Sequence, residues 1–177
     1  PAVVDGDRTL SWAAFDEGTN RVANGLHSLG VKRGDRVAVL MHNSLEMLEV
    51  IWGVLKSGGV VVPLNLSITD AAVVAMLADS AVVAVIASDE QCRRVEALRS
   101  RLPGPLSGGC IACDAPDAVG SWHEFRAWRD SQSPDLPAVA LVDDDECNII
   151  YSSGTTGLPK GIVHTHRRRL DWAYDLA

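Results

Sequence analysis

Basic residues are in deficit in this 177-residue sequence, with 16 Lys and Arg against 23 Asp and Glu and a formal net charge of −7. That balance argues against general nucleic-acid binding, which needs a basic surface to displace counterions from phosphates. Long apolar runs are also missing. The most apolar window, Ala71 to Ala87, is interrupted by Asp79-Ser80 and reads as a helix, a turn and a strand, and a charge at its centre disfavours a membrane span. The chain opens Pro1-Ala2-Val3-Val4-Asp5-Gly6-Asp7-Arg8, with neither a basic start nor an apolar stretch, so no secretory signal is visible. Cysteine is sparse at four residues, which fits a reducing, cytoplasmic setting without disulfides. Cys110-Ile111-Ala112-Cys113 has the spacing of a zinc knuckle or a redox pair. Residues three apart on a strand face opposite sides, however, and Cys92 and Cys147 supply no second pair, so free thiols and no metal site are expected. There is no internal repeat and no low-complexity tract. No initiator methionine is present, and Leu170 to Ala177 stops inside a helical pattern, so the chain reads as a piece of something larger.

What is present is an ordinary globular composition, 47% hydrophobic and 22% charged, enough for one well-cored domain and part of another. Ser11 is placed to cap a helix whose apolar side carries Phe15, Val22, Leu26 and Leu29 and which Gly30 ends. Val37 to Met41 reads as a buried strand. Leu45 to Lys56 reads as a helix with Leu48, Ile51, Trp52 and Leu55 on its apolar side, followed by a strand at Val60-Val61-Val62. Thr69 caps a helix to Asp79, Ala81 to Ala87 forms a strand, Glu90 to Ser100 a helix, and Cys110 to Cys113 a short strand. Ser121 and Glu124 have the spacing of a capping box for a helix to about Ser131. Asn148 to Ser152 is a final strand. Apolar strands alternating with amphipathic helices predict an α/β fold, a doubly wound, mainly parallel sheet with helices on both faces. The Pro- and Ser-containing stretch suggests a division into a first α/β subdomain at 1–132, a linker at 133–140 and the start of a second at 141–177.

The stretch Tyr151-Ser152-Ser153-Gly154-Thr155-Thr156-Gly157-Leu158-Pro159-Lys160-Gly161 concentrates what a phosphate-binding loop needs. Glycines let backbone N–H groups approach an anion, hydroxyls donate to phosphate oxygens, and a lysine adds a mobile positive charge. It is not a Walker A loop, because Pro159 precedes Lys160 and Gly161 follows it. Ligands of doubly wound folds bind beyond the carboxyl ends of the strands, and this loop leaves its strand at Ser152.

The loop resembles the signature of the adenylate-forming superfamily: acyl-CoA synthetases, luciferases and the adenylation domains of peptide synthetases. Leu10-Ser11-Trp12-Ala13-Ala14-Phe15 and Leu55-Lys56-Ser57-Gly58-Gly59-Val60-Val61-Val62-Pro63-Leu64 are similar to two earlier family segments, both explained by capping and packing. The resemblance implies part of the large N-terminal domain of such an enzyme. Its parent would use ATP, Mg2+ and CoA to turn a carboxylic acid, most similarly a fatty acid, into an acyl-adenylate and then an acyl thioester. Ser152, Ser153, Thr155 and Thr156 would donate to the phosphates, Gly154 and Gly157 would permit close approach, and Lys160 would steady the departing pyrophosphate. Pro159 and Gly161 would only shape the turn. The family's adenine, ribose, magnesium and mobile-domain residues lie beyond this chain, so no catalytic residue is expected within it, and it is predicted inactive alone. Alternatives are a domain loading an amino or aryl acid onto a carrier protein, or a non-catalytic structural piece.

Other signals have plainer readings. His164 and His166 lack a third ligand for a metal, and Thr165 is placed to cap the next helix; where relatives carry asparagine, this chain has arginine after Arg167. Arg167-Arg168-Arg169 and Asp143 to Glu146 read as solvated charge runs. Trp12, Trp52, Trp122, Trp128 and Trp172 are expected to pack in the core or at an interface. A chain that lacks its remainder leaves strand edges and apolar faces open, which predicts self-association.

Overall fold

Each α/β step of the chain is set by a cap that stops one element and starts the next. The structure, a computed structural model, describes residues 1–102, 104–114, 120–152 and 159–175. Its elements are β1 (Val3–Asp5), β2 (Arg8–Leu10), α1 (Trp12–Ser28), β3 (Arg36–Leu40), α2 (Leu45–Lys56), β4 (Val60–Pro63), α3 (Asp70–Asp79), β5 (Ala84–Ser88), α4 (Asp89–Leu98), β6 (Cys110–Cys113), β7 (His123–Glu124), α5 (Phe125–Asp130), β8 (Glu146–Ser152), β9 (Lys160–Thr165) and α6 (His166–Asp175). The Ser11, Ser44 and Thr69 hydroxyls accept from backbone N–H groups in the first turns of α1, α2 and α3, satisfying donors that a helix start leaves open. Gly30, at φ 87, closes α1 in a conformation that a Cβ would strain.

β1 and β2 form a separate antiparallel hairpin, and the remaining strands make one sheet in the order β7-β6-β5-β3-β4-β8-β9. Every neighbouring pair in it is parallel except β8 with β9. Alternate residues feed two cores. Ala38, Leu40, Val60, Val62, Val85 and Ala87 pack with Val73, Met76 and Leu77 of α3 and with Val95 of α4. Val37, Val39, Val61 and Ile86 pack with Val22 and Leu26 of α1, Val50 and Val54 of α2, and Phe125 and Trp128 of α5. Leu26, Leu40 and Ile86 are fully buried, each worth about 2 kcal/mol relative to exposure. The doubly wound, mainly parallel sheet is therefore present.

Local details depart from the sequence reading in five places. The strand expected from Ala81 begins at Ala84, because Ala81 adopts φ 48 to end α3 and the Arg36 guanidinium takes the Ser80 and Ala81 carbonyls. Glu124, not Ser121, caps α5: its carboxylate accepts from the Arg126 and Ala127 N–H groups. On α2 the buried side is Leu45, Glu46, Glu49, Val50, Gly53 and Val54, while Leu48 and Trp52 are exposed. Of the tryptophans, Trp122 and Trp128 are buried, but Trp12, Trp52 and Trp172 are at least half exposed. Finally, Lys160 and Gly161, expected in a turn, begin a strand.

Between α5 and β8 the chain crosses from one edge of the sheet towards the other without a helix. The polar side of α1 holds this crossing. Asn20 donates to the Pro134 carbonyl at 2.9 Å, Asn24 to Ser133 and Asp135 at 2.9 Å each, and Arg21 to Asp130 and Gln132.

Candidate functional site

The two stems of the Gly/Ser/Thr loop are strands of the main sheet. β8 runs parallel to β4, with Val61 opposite Asn148, so its carboxyl end at Ser152 lies on the same side as those of the other parallel strands. β9 then returns antiparallel, pairing Tyr151 with Gly161 and Ser152 with Lys160. Partners across such a ladder project on one face. Two of the expected phosphate ligands, Ser152 and Lys160, are thereby brought together as the base of a hairpin, and both are exposed. Ser153, Gly154, Thr155, Thr156 and Gly157 lie outside the described residues.

The hairpin is anchored from three directions. Ile149 is buried in the core on the α3 side, and Tyr151 packs against the same cluster. The Tyr151 hydroxyl lies 2.6 Å from Asp79 Oδ2 and 3.2 Å from the Met76 carbonyl, both in the last turn of α3. Burial, and then the Asp79 carboxylate, push the Tyr151 phenol up to about 12. At the other end of β8, the Arg33 guanidinium donates to both carboxylate oxygens of Asp145, at 2.9 and 2.5 Å, and holds that carboxyl below its usual range. Arg167 reaches Asp143 at 2.8 Å and Asp144 at 3.4 Å. Arg167, Asp143 and Asp144 remain more than half exposed, in keeping with solvated charge runs, while Asp145 is drawn in by Arg33.

Thr165 does begin the last helix: its hydroxyl accepts from the Arg168 N–H at 3.2 Å, so the extra arginine leaves the helix start intact. His164 Nδ1 lies 3.0 Å from Asn148 Oδ1, and Arg169 donates to the same oxygen at 3.2 Å. Partial burial, then the Arg169 and Arg168 charges, lower the His164 pKa. The Arg169 guanidinium also stacks 5.5 Å from the Trp172 ring centroid.

Cys110 projects into the core beside α3 and α4, and Cys113 into the opposite core beside α1, α2 and α5. Burial raises both thiol pKa values, Cys113 strongly. That is the reverse of a poised nucleophile or metal ligand. Among the described residues no group of three or more His, Cys, Asp or Glu side chains is arranged to hold a metal ion, and no helix is long and apolar enough to cross a membrane.

Asp79 belongs to no motif of the sequence. The signal was available: an acidic residue in the last turn of a helix, with no basic residue there, opposes the helix dipole and needs a partner elsewhere.

Known proteins are similar to this chain in sequence and in fold. Residues 1–176 match the family described as AMP-binding enzyme. The chain is 36% identical over 163 residues to the long-chain-fatty-acid–CoA ligase FadD13 of Mycobacterium tuberculosis, covering 90% of this chain and 30% of that protein. It is 34% identical over 168 residues to the fatty acid–[acyl-carrier-protein] ligase ScoC of Streptomyces coeruleorubidus, covering 94% and 30%. The crystal structure of the anthranilate CoA ligase AuaEII in complex with anthranoyl-AMP superposes with a TM-score of 0.85 at 30% identity, over 92% of this chain and 31% of that one. The chain therefore spans about 30% of the length of the curated relatives it matches. With a parallel sheet of matching topology and a hydroxyl- and glycine-rich loop leaving the carboxyl end of β8, the chain belongs to the AMP-binding, adenylate-forming enzyme family, of whose longer members it corresponds to the N-terminal portion.

Proposed function

We propose that this chain is the N-terminal part of an ATP-dependent acid–thiol ligase and that its loop, from Ser152 to Lys160, holds the ATP polyphosphate. The observation that carries the reading is the pairing of Ser152 with Lys160 at the carboxyl end of β8, which puts a hydroxyl and an ammonium at the mouth of a loop rich in hydroxyls and glycine. In the reaction a carboxylate oxygen attacks the α-phosphorus of Mg·ATP, the bond to the bridging oxygen breaks, and pyrophosphate leaves. A thiolate then attacks the acyl carbon and expels AMP. Transfer at phosphorus asks mainly for positioning and charge neutralisation. Ser152, Ser153, Thr155 and Thr156 donate to phosphate oxygens, Gly154 and Gly157 admit the backbone close to them, and Lys160 balances the charge that develops on pyrophosphate.

The acid is a fatty or related carboxylic acid and the acceptor is CoA, as in FadD13. A second reading, transfer to a carrier-protein thiol, is favoured by the similarity to ScoC. The stretch 133–140 is read as the join between a first α/β unit, 1–132, and the start of a second, 141–177, whose strands β8 and β9 extend the same sheet, and the four buried thiols suit a reducing cytoplasm. The 177 residues alone carry no complete active site. The deciding experiment is carboxylate-dependent exchange of labelled pyrophosphate into ATP by the longer enzyme that contains this chain. Exchange with a fatty acid that drops at least about 100-fold in Lys160→Ala supports the reading. No exchange with fatty, aryl or amino acids sinks it, and the thiol that releases AMP from the trapped adenylate separates CoA from a carrier protein.

A further inference from the structure

Asp79 sits where α3 itself has no use for it. It occupies the last turn of the helix, where negative charge opposes the exposed carbonyls, and that turn holds no basic residue. Its carboxylate instead accepts the Tyr151 hydroxyl at 2.6 Å, with the Met76 carbonyl 3.2 Å from the same oxygen. A phenol has one proton to give, and the short bond to a charged acceptor is the stronger of the two.

On the hairpin side, Tyr151 is the cross-strand partner of Gly161. A Cβ at Gly161 would lie 3.2 Å from Tyr151 Cζ and 3.0 Å from Ile149 Cγ2, so both side chains would have to give way by a few tenths of an ångström. Glycine is thus what allows the tyrosine ring to lie across β9, in the manner of an aromatic residue covering a strand glycine. Tyr151 belongs to one stem of the loop, covers the other, and is bonded to a helix outside both. Pro159, the residue before Lys160, lines a cavity of about 200 Å3 together with Ala75, Met76, Asp79 and Tyr151. Among the described residues β8 meets β4 in register at one position, Val61 with Asn148. That register pair lies four residues before Ser152, whereas the bond from Tyr151 to α3 acts next to the carboxyl end of β8.

We infer that Tyr151 and Asp79 are positioning residues for the nucleotide-phosphate loop: their bond fixes both hairpin stems against the end of α3 and so sets where Ser152 and Lys160 meet the polyphosphate. The inference rests on the reading of the loop as a phosphate site. Its energetic reach comes from geometry, since small displacements of positioning groups are costly to reaction and binding alike.

Asp79→Asn, Tyr151→Phe and the pair together, all close in shape to the originals, are placed in the longer enzyme that contains this chain for affinity and hydrogen exchange, and in the 177-residue chain with Tyr174→Phe, which leaves Tyr151 as its only tyrosine, for the phenol. Calorimetry with Mg·ATP and with magnesium pyrophosphate reads affinity, amide hydrogen exchange reads β8 and β9, and ultraviolet titration reads the phenol. Each single variant is expected to weaken Mg·ATP binding roughly tenfold, and the double variant no further, because the two residues share one bond. Exchange should quicken in β8 and β9 and not in β3 to β5, and the phenol midpoint should fall from about 12 in Asp79→Asn. Single variants within about twofold of the parent, or a double variant whose losses add, overturn the positioning role while the loop's function stands. A longer parent enzyme that binds neither ligand at millimolar concentration overturns the phosphate reading, and the positioning role falls with it even if the exchange effect is found.

Discussion

Glu46 and Glu49 stand three residues apart on the buried side of α2, and their carboxyl groups are driven in opposite directions. Glu46 accepts from Arg8 at 2.5 Å and from Arg126 at 3.2 Å, and the Arg8 bond above all holds its pKa below the ordinary value. Glu49 accepts from Arg129 at 2.6 Å, yet burial outweighs that bond and raises its pKa. One helix face thus gives two titration behaviours, set by what each carboxyl meets. Both line the same cavity of about 560 Å3 between the β1–β2 hairpin, α1, α2 and α5.

The two residues should therefore shape stability against pH with opposite signs. The lowered value means that Glu46 stabilises the fold above the usual carboxylate range and that this contribution is lost as pH falls through its folded pKa. The raised value means that the favourable form of Glu49 is the protonated one, present at acid pH and lost as pH rises through its folded pKa. In urea unfolding between about pH 3 and 6, the deficit of Glu46→Gln should grow with pH and that of Glu49→Gln should shrink. Trends of the same sign in both variants would contradict the assignment.

Gly53 of α2 lies directly against α1. A Cβ there would overlap Val22 and come within 3.2 Å of the Thr19 carbonyl, so Gly53→Ala should cost about 1–3 kcal/mol by forcing the helices apart. Gly104, with open space around it, provides the control, and its alanine variant should unfold within about 0.5 kcal/mol of the parent. Equal midpoints for the two would mean that the helices have room to separate.

The assignment of the α5 cap to Glu124 is checked by a pair of alanine variants. Glu124→Ala removes the acceptor for two helix N–H groups and should cost about 1 kcal/mol. Ser121→Ala should change stability by less than about 0.5 kcal/mol. The reverse order would restore the capping box that the spacing suggested.

The outer part of the sheet predicts self-association of the isolated chain. Ile150, Ile162 and Val163 are between 38% and 49% exposed, and β9 is the last strand of the sheet. Light scattering should give a mass that rises with concentration, and Ile162→Lys should return it towards the monomer. A concentration-independent monomer in the parent chain would count against an adhesive edge.

The parallel sheet and the place of the loop were legible because they depend on local composition: apolar runs such as Val60 to Val62, capping residues such as Ser11 and Thr69, and glycines and hydroxyls at the end of β8. The inward face of α2 was not. Leu48 and Trp52 look like core residues by hydrophobicity, and Glu46 and Glu49 do not, but the arginines that make their burial tolerable arrive from Arg8, Arg126 and Arg129, far away in sequence. The same holds for Lys160 to Thr165, whose strand is dictated by pairing with β8 rather than by its own pattern. Ser121 and Glu124 had the correct spacing for a capping box, but the backbone first adds the short strand β7, which moves the helix start to Glu124 itself.

The amides of Asn20 and Asn24 give the crossing from α5 to β8 a fixed route, and this has a bearing on the order of assembly. A seated α1 favours docking of β8 beside β4, because its Asn20 and Asn24 amides bond the carbonyls of residues 133–135 that lead into the strand. The contacts of β8 with β4 also span a long stretch of sequence, which delays their formation. The β8–β9 hairpin that carries the loop is thus expected to be the last part to join the sheet. Pulse-labelled exchange during refolding should find β8 amides protected after those of β3 to β5, and Asn20→Ala with Asn24→Ala should lengthen that interval.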